Sequence, residues 1–372
     1  MAKTILSASK IKTLRACSYQ YFCQYVKKIP GGTNVGAQLG SIAHIVFEVL
    51  GNTRHLKHYK KIISKKDVFA SKSIKRLILK HLNKDNIHTE ENELNLKKMI
   101  LTGLNADFFG TKHGKPLESI SEFEFNINHK CENLEYNIKG FIDKLFVYEK
   151  MILVKDFKTS KKAFEGKDII SNIQADMYVL AIKKTYPHIE DVRMEFLFLK
   201  EGILDDYFKK EKEKPRQIHL EIEDLQIKIK EPIEQNLSDH VEIDGCAMKM
   251  KSKSHHEYIG FQYELHDIQK YADNFNEKTA LSNLAARQEF PKDGSFTGPL
   301  LCGFAKKPGQ LKKNGEKMFH CAFKFPKTYF ALLDEKGEIV KTSDNKDDLI
   351  KLKTEKNILK KMEYKGCPAF CS

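Results

Sequence analysis

Two carboxylates and a lysine lie close together in Gly140-Phe-Ile-Asp143 and Val154-Lys-Asp156-Phe-Lys158-Thr159. The residues around them read as two adjacent β-strands joined by the tight turn Tyr148-Glu149-Lys150. Asp156 and Lys158 are two apart, so the period of an extended chain turns both to one face. Ile152 and Val154 share that face, which sets the charged pair at the edge of a core, where buried charge needs a partner or a metal. Paired acids can hold a hard divalent cation through oxygen. A lysine beside them can position a water and offset negative charge. The chemistry this combination suits is phosphodiester hydrolysis.

The elements that must position these groups are also legible. Residues 7–28 read as a helix capped by Ser7 or Ser9 and ended by Pro30-Gly31-Gly32. A second helix over 38–50 carries Leu39, Ile42, Val46 and Val49 on one stripe, with His44 and Glu48 sharing a face. Residues 55–109 are mostly helical and lysine-rich. Strands follow at 121–128, 135–148 and 151–158, then a helix at 173–185 stopped near Pro187, then an apolar strand at 193–199. This order predicts an α/β fold with a mixed sheet. Beyond it, the pattern predicts a strand at 217–222 with helices after it in the lysine- and glutamate-rich stretch 206–270, a helix at 265–286, a hairpin from 328–333 and 338–341, and a closing helix at 346–362. There is no internal repeat.

The chain has 372 residues and a formal net charge of +14. Lysine supplies most of it, and a polyanion partner is one reading of that excess. No apolar run is long enough to span a bilayer, and the first residues are too short and polar for a signal peptide. A cytoplasmic location is expected, with reduced thiols, so the eight cysteines are read as buried small residues or metal ligands and not as a disulfide framework. Gly110-Thr-Lys-His-Gly114-Lys115 lacks the spacing of a nucleotide-binding loop, and no ATPase motor is expected.

Gly140-Phe-Ile-Asp143, Asp156-Phe-Lys158-Thr159 and Gln174-Ala-Asp-Met-Tyr178 resemble the RecB-type branch of the PD-(D/E)xK nuclease superfamily. Leu39-Gly40-Ser-Ile-Ala-His44 resembles that branch's helical histidine motif, and residues 9–26, with Cys17 and their aromatic residues, resemble its first helix. A fainter likeness lies near 285–304. The resemblance implies a restriction-endonuclease-like core, a mixed central sheet flanked by helices, with helical insertions and a C-terminal extension. Residues 1–300 would form the nuclease domain, with an insertion near 206–270, and 301–372 the extension. It implies that His44, Asp143, Asp156 and the Phe157 carbonyl hold Mg²⁺ or Mn²⁺. Lys158 would orient the attacking water, with Asp143 and Asp156 completing the catalytic set. Gln174 and Tyr178 would touch the DNA backbone or the lysine. Some relatives in that branch hold a [4Fe–4S] cluster. Cys17, Cys302, Cys321 and Cys371 are the matching thiols here, although the compact C-terminal triplet of that pattern is missing.

Taken alone, each residue has a plainer reading. His44 is then a helix histidine with a satisfied nitrogen, and Asp156 with Lys158 a surface ion pair worth little. Glu48 is expected behind the ligands or in solvent. Glu122 and Glu124, at the front of the first strand, could approach a metal but are expected to be structural. The combined reading is a metal-dependent DNA exonuclease of recombination, repair or replication, working at a nucleoid or a viral replication site. Lys155, Lys161, Lys162 and Lys167 would track phosphates, and aromatic residues of the first helix favour single-stranded ends. Repair or replication proteins are candidate partners. The rival readings are a structure-specific or end-trimming endonuclease and a silent DNA-binding scaffold.

Overall fold

The computed structural model describes residues 3–32, 34–131, 133–160, 163–164, 172–200, 241–244, 246–250, 255–289 and 321–369. The chain opens with α1 (Ala8–Ala16) and α2 (Ser18–Tyr21), followed by a π-helical turn at Phe22–Val26. Four helices come next: α3 (Val35–Gly51), α4 (Leu56–Lys65), α5 (Lys72–Lys84) and α6 (Glu90–Asn105). The strands β1 (Glu118–Cys131), β2 (Leu134–Val147) and β3 (Met151–Lys158) meander before α7 (Ile173–Thr185) and β4 (Asp191–Phe198). A hairpin, β5 (Val241–Asp244) and β6 (Ala247–Met250), precedes α8 (His255–Asp273) and α9 (Glu277–Glu289). The last elements are β7 (Lys327–Leu333), β8 (Ile339–Ser343), α10 (Lys346–Ile350) and β9 (Ile358–Tyr364). These elements fall into two compact units, Asn34–Glu264, and Met1–Thr33 with Leu265–Ser372.

The Asn34–Glu264 unit is an α/β core built on a six-stranded sheet of order β1-β2-β3-β4-β6-β5. Only β3 and β4 among its pairs run parallel, so the sheet is mixed as the element order predicts. Asn34 starts α3 by accepting the Ala37 N–H at 2.8 Å. The stripe Leu39, Ile42, Ala43, Val46, Phe47 and Leu50 is then buried together with apolar residues of α4, α5 and α6. From β3, Phe157 enters this core and stacks on Phe47, ring centroids 4.2 Å apart. Its neighbours Asp156 and Lys158 turn to the opposite face.

Two irregularities of the ladder matter below. Strands β2 and β3 pair only from Lys144↔Lys155 to Val147↔Ile152, while β3 goes on pairing with β4 as far as Lys158↔Phe198. In β1–β2 the register is the same on both sides of a single gap, between Ser121↔Lys144 and Phe123↔Ile142, where Glu122 lies opposite Asp143.

In the other unit, a three-stranded antiparallel sheet of order β8-β7-β9 covers a cluster that includes Tyr19, Phe22, Cys23, Phe323 and Tyr364. Three expectations are corrected. The first helix is interrupted at Cys17, whose φ of −159° is extended and whose Sγ accepts the Gln20 N–H to start α2. The helix expected at 265–286 is two helices, because Asn276 caps the second through the Thr279 N–H. The closing helix ends at Ile350. Residues 358–364 instead pair along the free edge of β7 from Lys327↔Tyr364 to Leu333↔Ile358, a long-range ladder that overrides local helix propensity. The strand expected at 217–222 lies outside the described residues, and where helices were expected after it, residues 241–244 and 247–250 form the β5–β6 hairpin, which extends the sheet beside β4. Among the described residues no helix is long and apolar enough to cross a membrane.

Lys144 is an unusual core residue. It is 1 % exposed, its Nζ has no hydrogen-bond partner among the described residues, and it sits 4.5 Å from the Phe108 ring centre and 5.6 Å from those of Phe109 and Phe146. A Cβ at Gly51 would fall 2.7 Å from this ammonium, so only glycine fits there. The rings attract the cation, but burial wins, and with the nearby charge of Lys155 it lowers the lysine to about 8. Between about 8 and its ordinary value the unfolded chain therefore binds more protons than the folded one, and stability rises with pH. Lys144→Met is expected to raise stability at pH 7 by about 1–3 kcal/mol and to remove the rise above pH 8, read from urea midpoints across pH. A variant less stable at every pH would show that the ammonium contributes more than its burial costs.

Candidate active site

The open end of the β2–β3 ladder is where the site forms. Past Lys155 the Phe157 N–H has no β2 carbonyl to meet, and it donates to Asp143 Oδ2 at 2.7 Å. Asp143 Oδ1 lies 3.1 Å from His44 Nδ1, and His44 Nε2 lies 3.1 Å from the Phe157 carbonyl. One histidine thus closes a ring through a carboxylate and both sides of one residue's backbone. His44 reaches it because α3 packs tightly on the end of β3: a Cβ at Gly40 would lie 2.5 Å from Thr159 Oγ1. That contact explains glycine in the Leu39-Gly40-x-x-x-His44 motif. Burial pulls the His44 imidazole down, but the bond and charge of Asp143, with Asp156 and Glu122, outweigh it and raise it overall.

Asp156 and Lys158 form the other half. Asp156 is 3 % exposed. Its Oδ1 accepts from Gln174 Nε2 at 2.7 Å, and the same amide's Oε1 accepts from Lys158 Nζ at 2.7 Å. Gln174 therefore grips both charged groups. Tyr178, one turn along α7, donates to the Phe141 carbonyl at 2.6 Å and stands 2.7 Å from Gln174 Nε2. Asn172 fixes this helix by accepting the Gln174 and Ala175 N–H groups. Gln174 thus reaches the lysine, while Tyr178 is buried beneath it. Lys158 Nζ approaches Asp156 Oδ2 to 2.5 Å, yet the approach is not aligned for a hydrogen bond, and Oδ2 is buried without one. Burial raises the Asp156 carboxyl above its ordinary value and Asp143 adds to this, against the pull of Lys158 and His44.

Glu122 is the residue sequence reasoning missed. Expected to be structural, it groups with His44 and Asp143, the ligand atoms of the three lying within 4.8 Å of one another. Its φ is 51°, a left-handed conformation that is rare for glutamate and costs on the order of 1–3 kcal/mol. The gap in the ladder and the turned backbone together aim the side chain at Asp143. Burial, then the charge of Asp143, raise its carboxyl. Neither feature shows in a strand pattern; the only signal was a carboxylate opposite Asp143 in register. Glu124 is elsewhere, in an exposed ion pair with Lys139. Glu48 lines an open cleft of about 480 Å³ with His44, Glu122, Gly40 and Thr159.

The His44 imidazole with the Glu122 and Asp143 carboxylates makes a hard donor set that fits a divalent cation. Among the described residues the cysteines form no comparable set. Cys17 and Cys321 are described, Cys302 and Cys371 lie outside the described residues, and His44, Glu122 and Asp143 are the one metal-competent group among the described residues. Lys155 is corrected: it is 3 % exposed and held by the Ala106 and Asp107 carbonyls and by Glu195, because it alternates to the face away from Asp156. Lys161, Lys162 and Lys167 lie outside the described residues.

The whole sequence matches the PD-(D/E)XK nuclease superfamily over residues 5–302. The chain belongs to this superfamily. No curated protein matches it. Metal-dependent nuclease chemistry and nucleic-acid binding follow from membership, and the site carries a metal-competent triad to match.

Glu122→Gln is expected to weaken Mn²⁺ binding by about 10–100-fold in calorimetric titration, the range seen when metal sites lose a supporting group. Glu122→Gly should do the same while raising stability by about 1 kcal/mol, because glycine relieves the positive φ. Unchanged metal binding in both variants would place Glu122 outside the ligand set.

Proposed function

We propose that this nuclease is a RecB-type DNA exonuclease that uses Mg²⁺ or Mn²⁺ and acts in recombination, repair or replication. The observation that carries the reading is the Gln174 amide holding Asp156 and Lys158 together at 2.7 Å each, beside a histidine that joins Asp143 to the Phe157 backbone. This repeats in space the ordered His, Asp, Asp-x-Lys and Gln-x-x-x-Tyr set of that branch. The superfamily match over 5–302 supports treating residues 1–300 as the nuclease domain and 301–372 as an extension.

In this reading His44, Asp143, Asp156 and the Phe157 carbonyl hold the cation, with Glu122 beside them. When bound, the cation polarises the scissile phosphate and lowers the pKa of an attacking water. Lys158 holds its ammonium where negative charge grows on the phosphate, fixed in place by Gln174 before substrate arrives. Tyr178 acts through Gln174 and the β2 backbone, keeping the amide oriented. The iron–sulfur cluster has no support among the described residues and is not part of the proposal.

The test is digestion of DNA labelled at the 5′ or the 3′ end, single- and double-stranded, with Mg²⁺ or Mn²⁺. Lys158→Ala is expected to lose at least about 100-fold in rate. Gln174→Leu should lose less, with metal binding retained. A product ladder from one labelled end gives the polarity. Cutting of a covalently closed circle would replace the exonuclease by an endonuclease. Full activity of Lys158→Ala would end the site assignment.

A further inference from the structure

The formal charge of this chain is concentrated. Between Arg54 and Lys84 there are eleven Lys and Arg residues and one acid, Asp67, a net of +10 out of +14 for the whole protein. All eleven cations are exposed. Among the described residues none of them has a carboxylate within ion-pair distance. The stretch is α4 and α5 with their connections, in the same unit as the candidate active site and packed on the same core as α3.

Their arrangement is regular. On α5, Lys72, Arg76, Lys80 and Lys84 recur every four residues, a step of about 6 Å along the axis. On α4, Lys57, Lys61 and Lys65 do the same. Like charges at this spacing repel and weaken a helix. Neither helix has an acid in its first turn, where the backbone dipole favours one, whereas α6 has Glu90, Glu91 and Glu93 there. Only the cations of the last turns, Lys65 and Lys84, are favoured by the helix dipole; the rest of the row gains nothing within the helix, and an external anion would offset its repulsion.

The surface also says which polyanion. Its apolar residues face inward: Ile62, Ile74, Ile78 and Leu82 are buried, and no large hydrophobic side chain from 54 to 84 is exposed. An anionic membrane would be held more firmly by a face with apolar residues to insert, and none is exposed here. A single strand would need exposed rings to stack on. Cations without rings suit a double helix, whose bases are already stacked and whose phosphates are the outer surface.

We infer that α4 and α5 form a duplex-binding surface that holds the double-stranded part of the substrate by its phosphates. The inference deepens the nuclease reading and rests on it for its biological sense, though its test does not. The full-length protein with Lys72, Arg76, Lys80 and Lys84 all changed to Gln is compared with the native chain. A control changes Lys351, Lys353, Lys356 and Lys360, exposed lysines of the other unit. Binding of a labelled duplex of about 30 base pairs and of one of its strands is read by anisotropy in EDTA over a range of KCl.

The α5 variant is expected to lose at least about tenfold in duplex affinity, with a salt slope reduced by roughly 2–4, each lost phosphate contact lowering it by about 0.9. Single-strand affinity should change by less than about twofold. The melting temperature should stay or rise, since like-charge repulsion is removed. Unchanged duplex binding, an equal loss in the control, an equal loss on the single strand, or loss of anionic-vesicle binding in its place would each overturn the surface. Hydrolysis of bis(4-nitrophenyl) phosphate with Mn²⁺ is read alongside. Equal rates in both proteins show the site intact, and no hydrolysis in the native chain would remove the nuclease reading while the duplex result still decides the surface.

Discussion

The backbone of Phe157 is the fixed point of this protein. Its ring is locked among Phe47 and Phe108 in the core, its N–H is taken by Asp143, and its carbonyl is taken by His44. A close-packed aromatic core tolerates little displacement. The groups tied to this residue inherit that rigidity. Asp156 and Lys158, on either side of it, are aimed away from the core by the pleat alone, and the Gln174 amide then holds them together. A site assembled from three separate stretches of chain is thereby referred to one buried ring.

Much of this was legible in the sequence, for a physical reason. β3 and α7 lie where expected because strong local signals bound them: a tight turn before one and Pro187 after the other. The spacing of Asp156 with Lys158, and of Gln174 with Tyr178, translates directly into shared faces. What was illegible depends on partners far along the chain. The fate of 358–364 was decided by the vacant edge of β7, and Lys155 could be assigned to the wrong side of the chemistry because its charge, and not its parity in the strand, was weighed. Glu122 escaped because nothing local announces a positive φ in the middle of a strand.

Electrostatics divides this unit into two fields of opposite sign. At the cleft, Glu48, Glu122, Asp143 and Asp156 crowd carboxylates together, and the carboxyls of Glu122 and Asp156 are raised. A cation relieves that repulsion, so metal and protein stabilise one another locally. On α4 and α5 the excess is positive, with no carboxylate at ion-pair distance among the described residues. A polyanion meets long-range attraction from one field and short-range repulsion from the other until a metal is present.

The missing rung between Glu122 and Asp143 has a mechanical side. Beyond it, β1 and β2 pair only with each other, from Phe123↔Ile142 to Cys131↔Leu134, since β3 has already left the ladder. The outer hairpin is therefore an arm, and at its base lies the one break in the β1–β2 register, Glu122 opposite Asp143. Tyr136 ties this arm to Gln262 of α8 at 2.9 Å. That base is made of the residues that face His44, so the arm and the carboxylates share one short stretch of backbone.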